Sequence, residues 1–168
     1  MKMKIELKNV KFSEHLSEET NAFTADIYVN GVKAGYAKNS GHGGCTDCRA
    51  HFEHKDLFAQ AEKFLSSLPP KKLPGYTFEL ESNMENLVDE LFEKWLKEKD
   101  NKKLEKKMER CVLVKRLSGD INSFSYPKTK LSELPLVKLQ SMYDNIKKQL
   151  KQGEIFLNTN LEKLGVKL

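Results

Sequence analysis

A chain of 168 residues with 39% hydrophobic and 32% charged residues is long enough to bury a core and too apolar to be disordered. Its formal charge of +5 rests on 29 basic residues, of which only Arg49, Arg110 and Arg116 are arginine. Lysine offers point charges to phosphate, whereas arginine offers the fork that reads guanine, so base-specific DNA recognition is disfavoured. No apolar run approaches the ~20 residues of a membrane helix.

The first third reads as strands. Over residues 4–12, Ile5 and Leu7 take one parity and Val10 and Phe12 the other, which predicts a bulge near Asn9. Residues 13–20 are polar and predict a loop. Phe23, Ala25, Ile27 and Val29 then alternate on one face. Asn30-Gly31 follows, and a second run over 32–38 completes a hairpin, because both turn residues tolerate positive φ. A glycine-rich turn, Gly41-His42-Gly43-Gly44, ends this part.

Helices come next. Leu57, Phe58, Ala61, Phe64, Leu65 and Leu68 form one apolar face, stopped by Pro69-Pro70. Residues 76–80 predict a short strand. Ser82-Asn83-Met84-Glu85 has the pattern of a capping box. It opens a long helix with Met84, Leu87, Val88, Leu91, Phe92, Trp95 and Leu96 inward. Past Leu96 only Leu104 and Met108 continue the pattern, so the lysine-rich segment 97–109 is expected to project into solvent. Residues 111–117 predict a strand, Ser118-Gly119-Asp120 a turn, and 121–126 the return of a second hairpin. A helix over 135–150 is expected to bury Leu136, Leu139, Tyr143, Ile146 and Leu150 and to stop at Gly153. A strand at 155–157 follows. Thr159-Asn160-Leu161-Glu162 then suggests a second capping box before a short helix stopped at Gly165. The expectation is one α+β domain over residues 1–168. It has an N-terminal antiparallel sheet with a Gly-rich turn, two central helices, a second β-hairpin and a C-terminal helical segment.

The densest chemistry lies in residues 41–54, where His42, Cys45, Cys48, His51 and His54 recur every third position. Three readings compete. In the first, Cys45, Cys48, His42 and His51 bind zinc and the chain is a zinc-stabilised interaction module. All four ligands would then come from one short segment, whereas structural zinc sites usually draw their two halves from separate elements. In the second, Cys45-x-x-Cys48 is a thiol redox pair. That needs a helix start after a strand in a βαβ unit, whereas this chain opens with antiparallel hairpins and sets Gly41-x-Gly43-Gly44 ahead of the cysteines. In the third, the glycines let backbone amides converge on a phosphate, with Lys38, Gly41, His42, Gly43, Gly44 and Arg49 as the ligand-binding set. The spacing fits neither a Walker loop nor the dinucleotide fingerprint. Against all three stands the plain alternative of a turn that only reverses the chain. Asp47, Glu53, His54 and Asp56 match no hydrolytic spacing, so catalytic residues are assigned to none and an enzyme is the least supported class.

Residues 97–116 hold a surplus of positive charge. Lys97, Lys99, Lys102, Lys103, Lys106 and Lys107 are either a solvated helix face or a handle for nucleic acid. Aromatic residues, on which single strands stack, are absent among them.

The N-terminal third has a further property. Met3-Lys4-Ile5-x-Leu7, Phe12-Ser13-Glu14, Ser17-Glu18-Glu19-Thr20, Phe23-x-Ala25, Tyr28-Val29-x-Gly31 and Asn39-x-Gly41-x-Gly43-Gly44 together resemble small phage and prophage proteins without assigned function. The likeness covers residues 3–50, with a looser match over 87–96. It implies a phage-encoded protein in the cytosol of a bacterial host, in keeping with an N-terminus that lacks a signal peptide's apolar core. It carries over no catalytic residue, and Cys48 and His51 are outside the shared pattern. The functional expectation is a non-enzymatic binding protein. It would antagonise a host defence by sequestering a phosphate-bearing nucleotide or by binding a host protein. The alternatives are the zinc module and a nucleic-acid binder acting through residues 97–116.

Overall fold

The computed structural model describes residues 3–72 and 79–168. The chain is α+β and divides into two compact units, Met1–Lys97 and Glu98–Leu168. Among the described residues no helix is long and apolar enough to cross a membrane.

The first unit is built on an antiparallel meander in the order β1-β2-β3-β4. These strands span Ile5–Ser13, Ala22–Val29, Val32–Asn39 and Asp47–Ala50. The parity change in β1 is accommodated as expected: the β1–β2 register shifts between Lys8 and Lys11, and Asn9 has φ 52°. Asn30 and Gly31 turn β2 into β3 with φ 49° and 86°, the two positive values a tight hairpin needs. A second register shift admits Ala34 as an extra residue in β3.

Two helices cover one face of this sheet. Helix α1, Lys55–Ser66, buries Phe58, Ala61 and Leu65. Helix α2, Met84–Met108, contributes Met84, Val88 and Phe92 to the same core, against Phe23, Ala25, Ile27, Val29, Ala34 and Ala37. Phe23 and Phe92 stack with centroids 4.0 Å apart. Gly35 lets α1 come close, since a Cβ there would lie 2.8 Å from the Phe58 ring and 2.4 Å from the Arg49 carbonyl oxygen. Between the helices, β5 (Lys71–Lys72) pairs with β6 (Glu79–Leu80). Tyr76, Thr77 and Phe78 of the expected strand lie outside the described residues.

The cap of α2 departs from the expected box. Asn83 is the capping residue, its Oδ1 accepting from the Asn86 amide at 2.8 Å. Ser82 instead donates to the Pro69 carbonyl at 3.0 Å. Glu85 reaches across to the Thr46 amide at 3.2 Å. Two adjacent residues could each have capped the helix, and tertiary partners decided between them.

The second unit holds a three-stranded sheet in the order β8-β7-β9, formed by Ile121–Phe124, Val112–Lys115 and Ile155–Phe156. Helix α3, Leu136–Gln149, packs Leu139, Tyr143 and Ile146 on Val112, Val114, Leu131, Leu161 and Val166. Leu136, expected inside, is 49% exposed because it begins the first turn, ahead of the buried stripe. The helix ends at Gln149 rather than at Gly153, whose φ of 93° serves the turn before β9. The expected second capping box is replaced by a single 3-10 turn, Glu162–Leu164, closed by Gly165 at φ 87°. Asn158 ties this unit together: its Oδ1 accepts from the Leu113 amide at 2.6 Å and its Nδ2 donates to the Cys111 carbonyl at 3.0 Å. Arg116 pairs with the half-buried Glu154 at 2.7 Å.

Candidate functional site

The glycine turn is organised by one buried side chain. Asn39, the last residue of β3, accepts through Oδ1 from the Gly41 amide and the Thr20 hydroxyl, both at 2.9 Å. Its Nδ2 donates to the Gly44 carbonyl at 3.0 Å and to the Thr46 hydroxyl at 3.1 Å. The Thr20 hydroxyl in turn accepts from the Gly43 amide at 3.2 Å. The glycine amides expected to cradle a phosphate are therefore engaged within the protein at positions 41 and 43. The converging amides belong to the facing loop: those of Glu18, Glu19 and Thr20 point at one oxygen at 3.0, 3.0 and 3.2 Å. That oxygen is the Gly41 carbonyl, so this nest is filled by the turn itself. Gly41 has φ 91°, and a Cβ there would lie 2.1 Å from the Leu16 carbonyl oxygen.

Beside the turn lies a cleft of ≈ 440 Å³ lined by Glu19, Glu85, Asp89 and Glu93, with Cys45 and Thr46. Thr46 is buried and donates to Asp89 Oδ1 at 2.6 Å. Burial, together with the charges of Glu85 and Glu93, raises the Asp89 carboxyl above the ordinary range despite that bond. The exposed Cys45 thiol is raised chiefly by its hydrogen bond to the Glu85 carboxylate. Burial first, then the Asp89 and Glu85 charges, pushes the Cys48 thiol up to about 12. Both thiols are thus held protonated, the opposite of what a thiolate nucleophile needs. The carboxylates give the cleft a charge that repels phosphate.

The residues expected to act together are dispersed. Cys48 lies in β4 and packs toward the core, while Arg49 lies on the other face and pairs with Asp47 at 2.7 Å. His42 contacts Glu18 at 3.1 Å. His51 sits beside Tyr36, with ring centroids 6.1 Å apart and its Nε2 buried without a hydrogen-bond partner. Residues three apart in an extended strand point to opposite faces, so the period of three separates Cys48 from His51 instead of joining them. Among the described residues no group of three or more His, Cys, Asp or Glu side chains is arranged to hold a metal ion. Lys97, Lys102, Lys103, Lys106 and Lys107 are exposed on α2 and Lys99 is half-buried; Lys103 pairs with Asp100 at 3.5 Å.

Among the described residues of the first unit, no helix packs on the second face of the first sheet, which gathers a different set of groups. The register sets Lys8, Asp26, Tyr36 and Arg49 in one row across the four strands. Lys11, Thr24, Lys38 and Asp47 form the next row, and Glu6, Tyr28 and Lys33 another. Each carboxylate of this face meets a cation: Glu6 meets Lys4 at 2.9 Å, Asp26 meets Lys33 at 3.0 Å and Asp47 meets Arg49 at 2.7 Å. A hydrogen bond from Asn9 first, then Lys33, lowers the Asp26 carboxyl, so it stays ionised. Lys8, Lys11 and Lys38 stand outside those three pairs. Lys8 Nζ lies 4.3 Å from the Tyr28 ring centroid, and Tyr36 is 37% exposed. Phe52, 84% exposed, follows β4 with Lys55 Nζ 4.6 Å over its ring.

Of the expected phosphate-binding set, Lys38 and Arg49 thus belong to the open sheet face, and Gly41, His42, Gly43 and Gly44 to the turn. Lys8, Lys11, Tyr28 and Tyr36 were missed. The signal for them was present in the outward positions of strands whose inward positions were easily read. No protein-family model, curated protein or solved structure matches this chain.

Proposed function

We propose that this chain is a non-enzymatic binding protein that takes a phosphate-bearing ligand on the open face of the β1–β4 sheet. The observation that carries this reading is the cross-strand arrangement of five cations, Lys8, Lys11, Lys33, Lys38 and Arg49, against three carboxylates that are already paired. An uncovered sheet face with surplus lysine attracts phosphate without demanding a sequence. The glycine turn acts one step removed: it shapes the end of β3, where Lys38 precedes Asn39. The likeness of residues 3–50 to phage and prophage proteins supports a phage-encoded protein in a host cytosol, withholding a phosphate-bearing molecule from a host defence.

Calorimetric titration with inorganic polyphosphate at low salt tests the reading. Binding is expected, and a Lys11→Glu, Lys38→Glu double variant is expected to weaken it at least tenfold. An absence of binding, or equal binding by the variant, overturns it.

A second reading keeps the nucleic-acid handle on α2. Lys99, Lys102, Lys103 and Lys106 follow helical spacing along one side of α2, opposite Leu104 and Met108. If this stripe is the contact, charge reversal at Lys102 and Lys106 abolishes polyanion binding while reversal at Lys11 and Lys38 leaves it intact.

A further inference from the structure

We infer that the open face of the first sheet is a platform for single-stranded nucleic acid, with Lys8, Lys11 and Lys38 meeting successive phosphates and Tyr36 stacking on a base. This deepens the reading above and rests on it.

The first ground is extent. Strands lie about 4.8 Å apart and same-face rows about 7 Å apart, so β1 to β4 spans about 14 Å. Lys11 on β1 and Lys38 on β3 share a row with Thr24 between them, and Lys8 lies in the neighbouring row. One phosphate group cannot touch cations spread over such distances, whereas a chain of them can.

The second ground is the aromatic set. Tyr36 occupies the row between Asp26 and Arg49 and keeps exposed surface. It is two positions from Lys38 on the same strand, so a ring and a cation stand side by side on one face. Tyr28, in the adjacent row, already has the Lys8 ammonium over its ring, which leaves Tyr36 as the ring open to a base. Successive bases stack on such rings whatever their identity, because every base has a π-face. A duplex hides those faces, which selects single strands. The shortage of arginine, the residue that reads base edges, fits recognition without sequence preference.

The third ground is contrast with a peptide partner. An acidic peptide would satisfy the lysines but would give the tyrosines no flat, extended partner. Polyglutamate therefore serves as the competing ligand in the test.

The experiment is fluorescence anisotropy with the full chain and labelled twelve-residue strands of dT and of U. An abasic strand of equal length, polyglutamate and inorganic polyphosphate serve as competitors. Both base-bearing strands are expected to bind about tenfold or more tightly than the abasic strand. Log affinity is expected to fall with log salt at a slope of about −2 for three neutralised phosphates. Tyr36→Leu is expected to lose about tenfold for base-bearing strands and nothing for polyphosphate, and Tyr36→Phe to retain wild-type affinity. Whichever of dT and U binds more tightly names the natural strand. Equal binding of base-bearing and abasic strands, or no effect of Tyr36→Leu, overturns the inference while leaving a polyphosphate-binding face in place. Tighter binding of polyglutamate overturns it in favour of an acidic protein partner. No binding by any polyanion overturns both the inference and the reading beneath it.

Discussion

The glycine turn and the open sheet face lie within the same unit and share strands β3 and β4, yet their chemistry is opposite. The turn feeds its polar groups inward to Asn39, Thr20 and Thr46 and borders a cleft of carboxylates. The open face carries lysines and tyrosines outward. Lys38 and Asn39 are adjacent in sequence, but strand alternation sends one to solvent and the other into the hydrogen-bond network. Nearness along the chain is therefore a poor guide to which groups cooperate. Register, which joins Lys11 to Thr24 and Thr24 to Lys38, is the better one.

The comparison is most sharply tested at Gly41. Its positive φ and the 2.1 Å approach of the Leu16 carbonyl oxygen leave no room for a side chain. Gly41→Val is expected to lower the unfolding free energy by about 3 kcal/mol in urea titration. Gly44, where a Cβ would meet nothing within 4 Å, serves as its control. Equal tolerance at both positions would remove the turn's structural role.

Thr46→Val comes next. It keeps the shape but deprives Asp89 of its donor and Asn39 of an acceptor, and a loss of about 2 kcal/mol is expected in the same assay. A smaller effect of opposite sign is expected for Asp89→Asn. The folded state raises the Asp89 carboxyl above its unfolded value of 3.8, so this group favours folding below that pH. The contribution is lost as pH rises through the folded value. The asparagine variant should melt higher than wild type at pH 7, and the gain should shrink as pH falls toward 3.8. A gain that is constant with pH would mean the carboxyl is not the cause.

The smallest stability effect belongs to the open face. Lys38→Gln should change stability by no more than about 0.5 kcal/mol while weakening polyanion binding. A large loss of stability there would show that the lysine is structural and that the two faces are less distinct than their charges suggest.

Much of this fold was legible because its signals are local. Asn30-Gly31 announces its own backbone angles, and Phe23, Ala25, Ile27 and Val29 declare their face by alternation. The cap of α2 was displaced by one residue because Pro69 and Thr46, distant in sequence, claim Ser82 and Glu85. The site was harder still. The spacing of His42, Cys45, Cys48 and His51 stood out as a pattern, but only Cys48 of the four lies in β4, and the extended backbone there turns Cys48 and His51 to opposite faces. The cations and tyrosines of the open face sit as many as 41 positions apart in sequence, from Lys8 to Arg49, and only strand pairing brings them into rows.

The Gly41 carbonyl has one more consequence. A single oxygen holds the amides of Glu18, Glu19 and Thr20, so any displacement of that oxygen exposes all three together. In deuterium exchange they should behave as one unit, with a shared opening free energy, although they lie in a polar surface loop. Gly41→Val should release all three at once.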